Sequence, residues 1–144
     1  MSPQIRIYLA SFLTLLPASV LACPGLDVSG LWIREAPPGA STMVAYMALS
    51  NRGDQALIID QVAGSDFGGS MLHNTELVDG ISQMRHVDQL ELAPGEEKTL
   101  RPGGLHLMLF RPQRPLRDGD RTELVLHCGE QRQVVNAPIL RSAP

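Results

Sequence analysis

Four side chains stand out as able to do chemistry together. His73 and Met84 flank an Asp79-Gly80 pair, while His106 and Met108 lie two apart in an apolar run that follows Pro102-Gly103-Gly104. Residues two apart in a strand project to one side, so His106 and Met108 form a two-donor unit. Imidazole with thioether sulfur is a soft, neutral donor set that suits copper(I); calcium and magnesium want carboxylates, and structural zinc prefers thiolate with imidazole. A thioether also keeps its donor character outside the cytoplasm, where a thiolate pair could oxidise to a disulfide, although methionine oxidation is a route to losing the site. Taken singly, each residue has a plainer reading, Met as gap-filler in a β core and His as a surface or hydrogen-bonded group.

Short strands must position these donors. Segments with alternating or β-branched apolar residues recur after the first twenty-odd residues, each bounded by Gly, Pro, Asn or Asp, and none sustains a long amphipathic helical pattern. The class is all-β. The expected strands are Leu31 to Glu35, Met43 to Ser50, Leu57 to Val62, Ser70 to Leu77, Ile81 to Val87, Leu90 to Leu92, Lys98 to Leu100, His106 to Phe110, Thr122 to Cys128 and Gln133 to Val135. Strands this short and regular suggest a sandwich or barrel in a single domain. The tail after Asn136 is short and holds no metal-binding run.

The sharpest local signal is Leu77-Val78-Asp79-Gly80-Ile81, because Asp-Gly between apolar strands favours a two-residue hairpin turn. With Asp79 and Gly80 as the loop, Val78 faces Ile81, Thr75 faces Met84 and His73 faces His86. All of His73, Thr75, Met84 and His86 then share one face. His73 and Met84 become diagonal neighbours, on the order of 7 Å apart at the backbone, a gap long side chains can close.

Arg6 precedes an apolar run from Ile7 to Val20 that closes on Val20-Leu21-Ala22, the pattern of a secretory signal peptide. The run is too short for a membrane span, which takes about 20 apolar residues. Residues 1–22 are therefore expected to be removed, leaving 23–144 as one domain of 122 residues with no stable membrane insertion. Arg6 is the leader's one charge, so the rest carries eleven basic against fifteen acidic side chains, a mild acidic balance that gives no reason to expect nucleic acid. Cys23 and Cys128 remain, and an exported chain meets oxidising conditions, so a disulfide is expected. Lipidation of Cys23 competes with that reading; Leu21 is bulky where a lipoprotein cleavage box carries a small residue, and lipidation would leave Cys128 unpaired.

Other residues have readings of their own. His86 is read as a surface histidine, with a role as alternate ligand left open. Met71 shares the His73 face, with the plainer reading of an apolar neighbour. Met43, Met47 and Trp32 read as packing residues, and His127 has no third or fourth ligand nearby in sequence. An electron-transfer copper site would need a Cys thiolate beside two His, and neither cysteine has the right surroundings. No Gly-X-Ser-X-Gly elbow, His-Glu-X-X-His or phosphate-binding glycine loop occurs, so no enzyme is expected.

The spacing His73, ten residues, Met84, twenty-one residues, His106-Leu107-Met108 resembles the His-X10-Met-X21-His-X-Met signature of periplasmic PCu(A)C copper chaperones. Met71-Leu72-His73, Leu92-Ala93-Pro94-Gly95, Leu100 through Leu109 and Pro115-Leu116-Arg117-Asp118-Gly119-Asp120 look like that family too. The resemblance runs from about Leu31 to Val135. It implies a cupredoxin-like β-sandwich of Greek-key type, a surface-near copper(I) site of His73, Met84, His106 and Met108, and delivery of copper to the binuclear copper centre of cytochrome c oxidase, often beside a Sco-type thiol protein. Some members of that family carry a His- and Met-rich C-terminal extension; Ala137 to Pro144 holds neither residue type, so a second copper site there is not expected. A periplasmic copper buffer or sensor without a dedicated client, and a metal-free interaction module, are the alternatives.

Overall fold

The computed structural model describes residues 22–144; the expected leader, Ala22 apart, lies outside the described residues. Eleven strands follow one another: β1 Leu26–Arg34, β2 Thr42–Asn51, β3 Leu57–Ile59, β4 Gln61–Gly64, β5 Phe67–Val78, β6 Ile81–Val87, β7 Leu90–Leu92, β8 Glu97–Leu100, β9 Leu105–Pro112, β10 Arg121–Cys128 and β11 Gln131–Leu140. No helix among the described residues is long and apolar enough to cross a membrane. The strands run in the order β4-β10-β11-β1-β2-β9-β5-β6, with β8 also pairing β2 and with β3 and β7 forming a separate pair. This is a β-sandwich: β1, β2, β9, β5 and β6 make one layer, and β10, β11 and β4 continue it round to the other. Alternation puts Ile33, Ala45, Leu107 and Leu109 of the first layer and Leu124, Leu126 and Ile139 of the second into one buried cluster.

Where the expected strands differ from the observed ones, a nonlocal cause is visible. The stretch Leu57 to Val62 is two strands, because the chain changes partner at Asp60, with β3 pairing β7 and β4 pairing β10. The last strand extends to Leu140, well beyond Val135, and the supposed tail supplies fully buried Ala137 and Ile139. Pro138 is tolerated there. The neighbouring Ile139 N–H donates to Asp120 on the β10 side, so the proline nitrogen faces the other way and no bond of that ladder is lost.

The first strand begins at Leu26 and contains a bulge. Ser29 pairs Ala48 and Trp32 pairs Tyr46, so three steps on β1 match two on β2. Gly30, at φ 58°, takes up the extra residue. The consequence is a change of face: Leu26 lies inward before the bulge, and Ile33 inward after it, which turns Trp32 to the outer face of the sheet.

Candidate metal centre

The β5–β6 hairpin has the register expected from Asp79-Gly80. Both turn residues take positive φ, 51° and 79°, and Val78 pairs Ile81, Thr75 pairs Met84 and His73 pairs His86. On its other side β5 pairs antiparallel with β9, which sets His106 opposite His73 and Met108 opposite Met71. His73, Met84, His106 and Met108 therefore occupy one face across three adjacent strands, while Leu72, Leu107 and Leu109 point from the same strands into the core. The three histidines form a row, with ring centroids 6.0 Å apart for His106 and His73 and 5.6 Å for His73 and His86.

Access is graded along this row. His106 is 7% exposed, His73 is half-buried, and on the edge strand β6 His86 and Met84 are open to solvent, Met84 at 56%. Trp32 and Tyr46 lie on the same outer face, on β1 and β2, with rings 5.0 Å apart. Tyr46 is one same-face step from Val44, which pairs with Met108. Sequence patterning missed their place beside the His and Met face, because only the Gly30 bulge turns Trp32 to the outer side.

Hydrogen bonding fixes the tautomer of one ring of the row. His106 Nδ1 lies 2.8 Å from the Gly104 carbonyl, which can only accept, so Nδ1 carries the proton and Nε2 keeps a lone pair. The same carbonyl accepts from the Thr75 N–H at 3.1 Å, which ties the loop before β9 to the hairpin. His73 differs. Its Nδ1 is buried without a hydrogen-bond partner, a costly arrangement for a polar atom unless something else binds it. Burial first, then the repulsion its charged form would feel from His106 and His86, holds the His73 pKa below the ordinary histidine value. A neutral imidazole is the form that binds a metal.

Among the described residues, no three or more His, Cys, Asp or Glu side chains converge tightly enough to hold an ion. The Met84 and Met108 thioethers stand on the same face as His73 and His106, and together the four form a soft donor set. Met43 and Met47 are buried core residues as expected. His127 sits on β10, paired with Gln61 and Arg132, away from this face. Cys23 and Cys128 are joined in a disulfide, so neither is a thiolate ligand. Larger hollows of about 520 and 580 Å³ near Arg34 and Cys128 contain none of the histidines. The donors lie on an open sheet surface, beside a hollow of about 340 Å³ lined by Met71, Gly69 and Phe110.

The fold is that of PCuAC domains, as the spacing of the His and Met residues led one to expect. The solution structure of the copper(I) form of DR1885 from Deinococcus radiodurans is 28% identical, with TM-score 0.67 over 87% of this chain and 84% of that one. The apo PCuAC domain from PmoF1 is 25% identical, with TM-score 0.67 over 83% and 95%. The copper-bound PCuAC domain from PmoF2, at 20% identity, shares the fold with TM-score 0.70 over 84% and 97%. The chain belongs to the family described as "Putative lipoprotein LpqE-like", which it matches over residues 26–139. Among curated proteins it is similar to "Putative lipoprotein Lxx21020" of Leifsonia xyli, 28% identical over 71% of this chain and 61% of that protein. It also resembles "Uncharacterized protein RP573" of Rickettsia prowazekii, 26% identical over 72% and 59%. The chain thus spans about three fifths of the length of the curated relatives it matches.

Proposed function

We propose that this protein is a copper carrier that binds one copper(I) ion through His73, Met84, His106 and Met108 outside the cytoplasm and passes it to an acceptor protein. The observation that carries the reading is the buried, unpartnered Nδ1 of His73 at the centre of a face that holds the other three donors. All four donors are neutral, so the ion can enter or leave by stepwise ligand exchange without a proton having to move. The copper-bound neighbours PmoF2 and DR1885 support the choice of metal.

The acceptor we favour is the binuclear copper site of cytochrome c oxidase, reached beside a Sco-type thiol protein. The exposed Met84 thioether on the edge strand β6 suits handover to a thiolate acceptor. Export through residues 1–22 into the periplasm accompanies this reading. Relatives are named lipoproteins, yet the Cys23 sulfur is committed to Cys128, which favours a free exported form over a lipid anchor at Cys23.

Titration of the reduced protein with copper(I) against a calibrated chelator tests the site, in parallel with Met84→Leu plus Met108→Leu. One tight equivalent in the parent and weakening by about tenfold or more in the variant is the expected result, taking the loss of a supporting group at a metal site as the minimum scale. Undiminished binding in the variant would move the metal elsewhere. Transfer to a copper-free oxidase fragment then separates a chaperone from a buffer.

A further inference from the structure

The histidine row continues past the four proposed donors. His106 and His86 stand on strands two apart, with the His73 ring between them, 6.0 Å from that of His106 and 5.6 Å from that of His86. His106 has the Gly104 carbonyl 2.8 Å from its Nδ1, while the exposed His86 has the Asp88 carboxylate 3.2 Å from its Nε2. Met84 is one same-face step along β6 from His86 and diagonal to His73.

We infer that His86 is an exit ligand: copper(I) moves from His73, Met84, His106 and Met108 to an outer position of His73, Met84 and His86, from which an acceptor takes it. This deepens the copper-carrier reading and rests on it. A bond to a His86 nitrogen forms as the bonds to His106 and Met108 break, with copper remaining in the +1 state and every donor neutral. The direction follows the gradient of access, from buried His106 to the exposed side chains of β6, the strand that ends the sheet.

The test compares the parent with His86→Ala and His86→Met. Each is loaded with one equivalent of copper(I); affinity is measured by chelator competition and release by rapid mixing with excess dithiothreitol. His86→Ala should hold copper within about threefold of the parent and release it about tenfold more slowly, the scale for losing one supporting group at a metal site. His86→Met, which restores a soft donor on the same exposed strand, should recover most of the rate. Release from His86→Ala at the parent rate would overturn the inference, as would faster release with a matching loss of affinity, which would make His86 a resting ligand. A parent that binds no copper would bring down the carrier reading and this inference together, whereas a parent that binds one equivalent confines any failure to His86.

Discussion

Replacing Cys23 and Cys128 together by alanine opens a covalent loop whose ends are 105 positions apart in sequence. In the chain-entropy treatment, closing a loop of that size stabilises the folded state by about 4.7 kcal/mol. Ordinary domains have about 5–15 kcal/mol of stability in total, so the loss is a large share. With an unfolding entropy of about 2.1 cal/mol/K per residue over some 120 residues, it corresponds to a fall in Tm of roughly 15–20 °C. Cys23 is buried in the core cluster, so truncating it adds a small packing cost in the same direction. Differential scanning calorimetry of the oxidised parent, the reduced parent and the double variant measures the effect, and thiol counting under denaturing conditions verifies the bond. Oxidised and reduced parent unfolding within a few degrees of each other would refute the reasoning. A preparation with lipid on Cys23 would instead show one free thiol, that of Cys128, and no dependence on reductant.

Asp66 accepts hydrogen bonds from Arg114 and from the Thr122 hydroxyl, and these outweigh burial to hold its pKa below the ordinary aspartate value. The unfolded chain therefore takes up this proton first, so the stabilisation is complete above about pH 4 and is lost as pH falls through the lower folded value. Urea unfolding from pH 6 to pH 2.5 should show a shallower acid loss in Asp66→Asn than in the parent; equal slopes would contradict the assignment. Leu107→Ala empties a nearly fully buried position between His106 and Met108, the two proposed ligands of β9, and should cost about 2–5 kcal/mol, while copper binding at low temperature is expected to persist because both side chains point to the other face. Gly30→Ala meets no atom within 4 Å but must hold φ near 58°. It should lose about 1 kcal/mol in denaturant titration, with near-ultraviolet dichroism from Trp32 as the check that the bulge survives.

The local half of the candidate site is legible from sequence because its causes are local. Asp79-Gly80 dictates a tight turn, the turn sets the pairing of Thr75 with Met84 and of His73 with His86, and the two-residue period puts His106 and Met108 on one side of their strand. Alternation likewise sends Met43 and Met47 inward. The soft-metal character of the donors needs no structure at all.

What sequence alone leaves open is which strand lies beside which. The hairpin could have met the His106 strand on either edge or not at all; the β5–β9 pairing, with Leu72, Leu107 and Leu109 buried beneath it, brings His106 within one strand spacing of His73 and leaves β6 as the accessible edge. The partner change at Asp60, the extension of β11 through Pro138 and the outward turn of Trp32 have the same character. Each depends on contacts between segments tens of residues apart, chosen by shared burial in one core. Turn chemistry and side-chain period act over a few residues, so they determine the donors and their faces; the packing of two layers determines that the donors meet, and how far each stands from solvent.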